Sequence, residues 1–243
     1  MSQEEYNKNI DRIFRLPRVW SNRELQKFAH LFDGDIVNVS GWKDIDKEGK
    51  EYKDYFTNKS SYTVTNYKSE ARGFQGGEHE IFLNLENDLS NELNQKFDVV
   101  FNHTVLEHIY KVDKAFENIC KMTKDIAIVV VPFLQVMHAD YGDYWRFTPL
   151  AMGKMFKENQ MEMIYCSFNS HKNSSVYLFC IATKNKEKWI KRIPESTSYV
   201  DPFLSGNLVD NWIGSHAIDN SAYVNKNDSF LKKLKKKFSK YVK

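Results

Sequence analysis

Apolar positions along this chain follow two periods. Ile10, Ile13 and Phe14, then Leu25, Phe28, Ala29 and Phe32, recur at three- and four-residue spacing, which predicts helix up to residue 33. Pro17 divides that stretch, and Asp33-Gly34 predicts the turn that ends it. Beyond it the pattern changes to short β-branched or continuous apolar runs at 35–41, 62–65, 80–85, 96–101, 125–132, 163–168 and 176–182, each with the length of a strand. Between the fourth and fifth runs, Val112, Ala115, Phe116 and Ile119 share one helical face, with Asp113 near its start.

Continuous apolar strands separated by helical segments imply a mainly parallel sheet covered on both faces, a doubly wound α/β fold. The last two runs are joined by a polar loop too short for a crossover helix, which predicts an antiparallel hairpin at the C-terminal edge. Three regions follow: a helical segment at 1–34, an α/β core at 35–184, and a polar extension at 185–243 with isolated aromatics and a lysine-rich end.

Composition narrows the class. With 243 residues, 42% hydrophobic and 28% charged, the chain can bury one substantial core. No apolar run approaches the roughly 20 residues of a bilayer-spanning helix, and MSQEEYNKNIDR lacks the apolar stretch of a secretory signal. Three scattered cysteines (Cys120, Cys166, Cys180) without a CxxC pair argue against a disulfide framework or a zinc knuckle. The expected location is the cytoplasm. The net charge of +3 comes from one end: residues 229–243 hold seven lysines and no acid, and without them 28 basic side chains face 32 acidic ones, a balance of −4. An acidic body is a poor nucleic-acid surface. In the lysine-rich end, Leu231, Leu234, Phe238 and Tyr241 fall on one side, giving a basic amphipathic helix that either rests on an anionic membrane face or an acidic partner, or stands solvated.

The segment FDVVFNHTVLEHIYKVDKAFENICK, with Asp98, Val99, Val100, Leu106, Glu107 and His108, resembles the fourth strand and following helix of class I S-adenosylmethionine-dependent methyltransferases of the methyltransferase 11 type. VVVPF followed by His138, and DYWRFTP at 143–149, resemble a subgroup common in bacterial surface-glycan biosynthesis. The resemblance covers about residues 35–184 and implies a Rossmann-like seven-stranded sheet, S-adenosyl-L-methionine as cofactor, and methyl transfer to oxygen or nitrogen of a sugar or glycan precursor. By position it implies cofactor contacts from Asn38, Ser40 and Gly41 after the first strand, Asn66 after the second, Asn84 and Leu85 after the third, and Asn102 and His103 after the fourth. Asn38, Asn66 and Asn84 stand where the family carries acids. A hydrogen bond to a carboxylate contributes about 1.5–3 kcal/mol, against roughly 0.5–1.5 kcal/mol for a neutral acceptor.

Methyl transfer requires alignment, exclusion of water and often a base. His138 is the candidate base, a neutral imidazole near pH 7 being able to take a hydroxyl proton. Asp140 is the candidate to orient it or to bind a sugar hydroxyl. Tyr144, Trp145 and Arg146 are candidates for a substrate wall, aromatic for a sugar face and cationic for phosphate or carboxylate. Against these stand plainer readings: Trp145 and Phe147 as core aromatics, Arg146 bridging a carboxylate, and His103 and His108 as satisfied loop histidines. No HxxH, HExxH or clustered carboxylates point to a metal. A second function is compatible with the three asparagines: a non-catalytic scaffold of the same fold, its cleft plugged by a side chain such as Trp42. A nucleic-acid methyltransferase fits poorly, because Asn102-His103-Thr104 is not the asparagine-proline-proline-aromatic motif of enzymes acting on base amino groups.

Overall fold

The computed structural model describes residues 11–68, 73–138, 142–169, 171 and 174–193. All seven predicted runs are strands: β1 (Asp33–Val39), β2 (Asn58–Asn66), β3 (Glu80–Phe82), β4 (Phe97–His103), β5 (Thr123–Leu134), β6 (Glu162–Phe168) and β7 (Val176–Thr183). They form one sheet in the order β3-β2-β1-β4-β5-β7-β6. β1 through β5 pair in parallel, whereas β7 runs antiparallel to both β5 and β6. The expected seven-stranded, mainly parallel sheet with a C-terminal antiparallel hairpin is therefore present.

Side chains alternate between two apolar layers. On one face Val37, Val39, Val100, Ala127, Val129 and Leu178 pack under α2 (Val112–Met122) and α3 (Pro149–Glu158) through Phe116, Ile119 and Phe156. On the other, Ile36, Val99, Phe101, Ile128, Val130 and Phe179 pack under α1 (Leu16–Phe28) and the loop residues Tyr52, Tyr55 and Phe56. A π-helical turn, Asp11–Arg15, runs directly into α1, and Pro17 lies in the first turn of α1, next to the change from one helical form to the other. α3 is capped by Thr148, whose hydroxyl accepts from the Ala151 N–H at 3.1 Å, and it too begins with a proline.

Among the described residues the crossovers β1–β2, β2–β3 and β3–β4 carry no α-helix, only 3₁₀ turns at Tyr52–Asp54 and Asn91–Leu93. The face beside β1 is covered instead by the helix that precedes it. A short helix, α4 (Lys186–Trp189), sits in the region read from sequence as extension; it buries Trp189 against Phe32, with its indole N–H donating to Asp125 at 2.7 Å. All three cysteines are free and buried. No helix among the described residues is long and apolar enough to cross a membrane. The lysine-rich end lies outside the described residues.

Candidate active site

β1 and β4 are neighbours from which the sheet grows in opposite directions, and ligands of open α/β sheets bind beyond the strand tips at such a switch point. The loop after β1 is tightly wound: Ser40, Trp42 and Asp44 all take positive φ (58°, 50° and 57°). Gly41 lies between them because a Cβ there would meet the Asn38 amide at 2.5 Å. Asn38 is buried and donates to Asp44 at 2.7 Å. Asp44 also accepts from the Tyr62 hydroxyl at 2.6 Å and the Lys53 N–H at 3.0 Å. Burial outweighs these bonds and raises the Asp44 pKa. Asn38 thus anchors the loop from beneath.

Asn66, at the tip of β2, is fully engaged. Its carbonyl accepts the Trp42 N–H at 2.8 Å, and its amide donates to the Trp42 carbonyl at 3.1 Å and to Glu80 at 2.6 Å. The other Glu80 oxygen accepts from the N–H groups of Gln75 and Gly77, both at 3.0 Å. A carboxylate therefore does stand at this corner of the sheet, contributed by the first residue of β3. Of the remaining expected positions, Asn84 accepts the Glu86 N–H at 3.0 Å in a local turn, and Leu85 is buried with its carbonyl held by Asn118 at 2.9 Å.

At the tip of β4, Asn102 is buried and donates to the Val39 carbonyl of β1 at 3.0 Å, while its own Oδ1 has no partner. His103 packs at a tilt against Tyr52 and Phe101, with Nε2 2.7 Å from the Ser21 hydroxyl and Nδ1 3.2 Å from that of Thr104. Burial, aided by the nearby Arg18 charge, pushes its pKa down to about 3, so the ring is neutral.

The carboxyl ends of β4 and β5 converge on a second group of side chains. Glu107 is 0% exposed and neither of its oxygens has a hydrogen-bond partner. Burial pushes its pKa up to about 7 against the opposing pull of its own N–H and of the Arg18 and Arg146 charges. His108 Nδ1 lies 2.6 Å from the Gly142 carbonyl, which makes that nitrogen the donor and turns Nε2 toward Glu107 at 3.7 Å. His138 meets His108 edge-to-face at 5.2 Å, and its buried Nδ1 has no hydrogen-bond partner, lying 3.4 Å from Asp143 Oδ2. Burial lowers the pKa of both histidines. Arg18 Nε and Gln135 Oε1, beside this group, are also buried and unpartnered. Buried polar atoms without protein partners are uncommon in folded proteins and are completed by water, an ion or a ligand.

The aromatic-basic segment divides. Tyr144 is 52% exposed and Trp145 37% exposed, the latter with its indole N–H on the Ile109 carbonyl at 2.9 Å. Phe147 is core. Arg146 has all five donors engaged: two on Asp143 (2.5 and 2.8 Å), the others on the carbonyls of Gln135, Val136 and Trp145. It clamps the loop and offers a ligand no free donor. Asp140 lies outside the described residues. The acid that faces His138 is Asp143, held at a pKa of about 2 by Arg146. Glu107 and Asp143 were not singled out from the sequence as functional. Two clefts, of about 740 Å³ beside Tyr62 and Glu80 and about 760 Å³ beside Lys157 and Glu162, lie away from this group.

Solved structures share the architecture. A Bacillus halodurans protein assigned as a methyltransferase superposes with a TM-score of 0.50 at 12% identity, over 67% of this chain and 97% of its own. An S-adenosylmethionine-dependent methyltransferase of Clostridium acetobutylicum gives 0.50 at 10% identity, over 74% and 98%. The fold is that of the class I methyltransferases. No family model matches the sequence, and no curated protein matches it.

Proposed function

We propose that this chain is an S-adenosylmethionine-dependent methyltransferase acting on oxygen or nitrogen of a small acceptor, a sugar or surface-glycan precursor, in the cytoplasm. The observation that carries the reading is the unpartnered carbonyl of Asn102 at the β1/β4 switch point, with the glycine-containing loop after the neighbouring β1 and, farther along the sheet, the Glu80 carboxylate of β3. These residues fit an adenosyl ligand. Asn102 Oδ1 is an acceptor for the ammonium group of its methionine portion. Glu80, with one lone pair of Oε1 unused by its three bonds, is an acceptor for ribose hydroxyls in place of Asn66. Ser40 and Gly41 let the backbone approach, and Asn84 and Leu85 border the adenine side.

When bound, S-adenosylmethionine supplies an electrophilic methyl group. The chain does the rest. His138, kept neutral by burial and faced by Asp143, accepts the acceptor's proton at an imidazole nitrogen. Tyr144 and Trp145 present exposed aromatic surface to a sugar face. The engagement of Asn66 by Trp42 favours a second reading, a scaffold that never opens to a nucleotide. Calorimetric titration with S-adenosylhomocysteine separates the two. Binding at about 100 μM or tighter, roughly −5 kcal/mol, and its loss in Asn102→Leu support the enzyme. No heat up to about 1 mM leaves the scaffold.

A further inference from the structure

We propose that Glu107, His108 and His138 form a binding site for one divalent transition-metal ion. One ligand atom from each lies within 4.8 Å of the other two. A tetrahedral ion at bond lengths of about 2.0–2.1 Å holds its ligands roughly 3.3 Å apart, and Glu107 and His108 already stand at 3.7 Å. Closing the triangle takes side-chain movement of about an ångström.

Three features point to a cation. Glu107 is wholly buried and both its oxygens lack a donor, a state that costs free energy unless a positive group completes it. His138 Nδ1 is a second buried atom without a hydrogen-bond partner. The third is the support behind the ligands. His108 donates its other ring nitrogen to the Gly142 carbonyl, the outer bond that fixes a metal-ligating imidazole in the correct tautomer. His138 is held by its backbone N–H on Asp143 at 2.7 Å, and Asp143 in turn by Arg146. Two imidazoles and one carboxylate suit zinc, iron(II) or cobalt(II) better than magnesium or calcium, which prefer all-oxygen sets. Only three protein ligands leave a coordination position open. Asp143 neutralises Arg146, which leaves the Arg18 charge nearby to oppose an ion, so the expected affinity is about micromolar and not that of a closed structural zinc site.

The site occupies the same pocket as the proposed acceptor but does not depend on methyl transfer. With an ion present, the His138 lone pair belongs to the metal. An acceptor hydroxyl bound at the open position would be acidified by the ion and would pass its proton to solvent water.

The test is titration of tag-free, chelator-treated protein with Co²⁺, read by visible ligand-field bands, and with Zn²⁺ by calorimetry. One equivalent per chain at roughly micromolar affinity is expected. Glu107→Gln and His138→Asn, each confirmed folded by circular dichroism, are expected to weaken binding at least tenfold and to shift the Co²⁺ spectrum. Affinity no tighter than about 1 mM, or either variant binding as the parent does, overturns the proposal. Because S-adenosylhomocysteine is absent from these titrations, their outcome is separate from that of the cofactor experiment.

Discussion

Replacing Glu107 with glutamine isolates the effect of a buried carboxyl on pH-dependent stability. The group titrates at about 7 in the folded chain against an ordinary value of 4.5. Between those values the folded state binds the proton more tightly than the unfolded state, so stability falls as pH rises. The sign is opposite to that of the salt-bridged Asp143, which contributes stability above the ordinary carboxylate range and loses it as pH falls toward about 2. At about 1.4 kcal/mol per pKa unit, the buried Glu107 carboxyl contributes about 3 kcal/mol, most of it between pH 5 and pH 8. Glu107→Gln removes it while keeping the shape. At pH 5 the difference between parent and variant reports mainly the amide's own burial. Its growth in favour of the variant from pH 5 to pH 8 reports the charge. Urea unfolding of both proteins in the presence of a chelator, at half-unit pH steps, measures that growth directly. Other groups, His103 included, cancel in the subtraction. A difference that stays flat with pH would refute the reasoning, and one that grows in favour of the parent would mean the carboxylate is paired.

Asn66→Asp restores the acid typical of the family, yet here it should destabilise. A carboxylate would face Glu80, now 2.6 Å from the amide nitrogen, and would lose the bond to the Trp42 carbonyl, with a combined loss of about 2–4 kcal/mol in urea unfolding. Gly41→Ala should displace the Asn38 amide, its new Cβ lying 2.5 Å away, and break the Asn38–Asp44 bond. A loss of about 1–3 kcal/mol together with weaker S-adenosylhomocysteine binding by calorimetry is expected.

The central strands were legible because β4, β5 and β7 bury both faces along most of their length and so read as near-continuous apolar runs, as in 125–132. α2 was legible from Val112, Ala115, Phe116 and Ile119. α3 was missed, although Thr148-Pro149 carries a start signal: a hydroxyl cap followed by a proline that already has helical φ. Pro17 marks a division in the sequence, and in the structure it stands just after the change from the π-helical turn to α1, with no gap between the two. The site was less legible. Asn38 and Asn102 were found by position, but what they do depends on tertiary partners: one holds Asp44, the other has a carbonyl without a donor. Glu80 reaches Asn66 only because Val64 pairs with Glu80 in the β2–β3 register. Nothing local marks Glu107 as unpartnered, since that follows from which donors fail to reach it.

The missing helix between β1 and β2 carries a mechanical consequence. A helix docks through a broad apolar stripe, whereas residues 40–57 are held by three buried rings near their end, Tyr52, Tyr55 and Phe56, and before those by polar contacts radiating from Asp44 and Asp46, the latter gripping the Tyr55 hydroxyl at 2.6 Å and the Glu48 and Lys50 amides. The part that precedes those rings, residues 40–51, can open while the apolar layer on β4 and β5 stays covered by Tyr52 and Phe56. Its amides should exchange with deuterium well before those of the central strands, and occupancy of the adjoining strand tips would slow that exchange without altering the rest of the sheet.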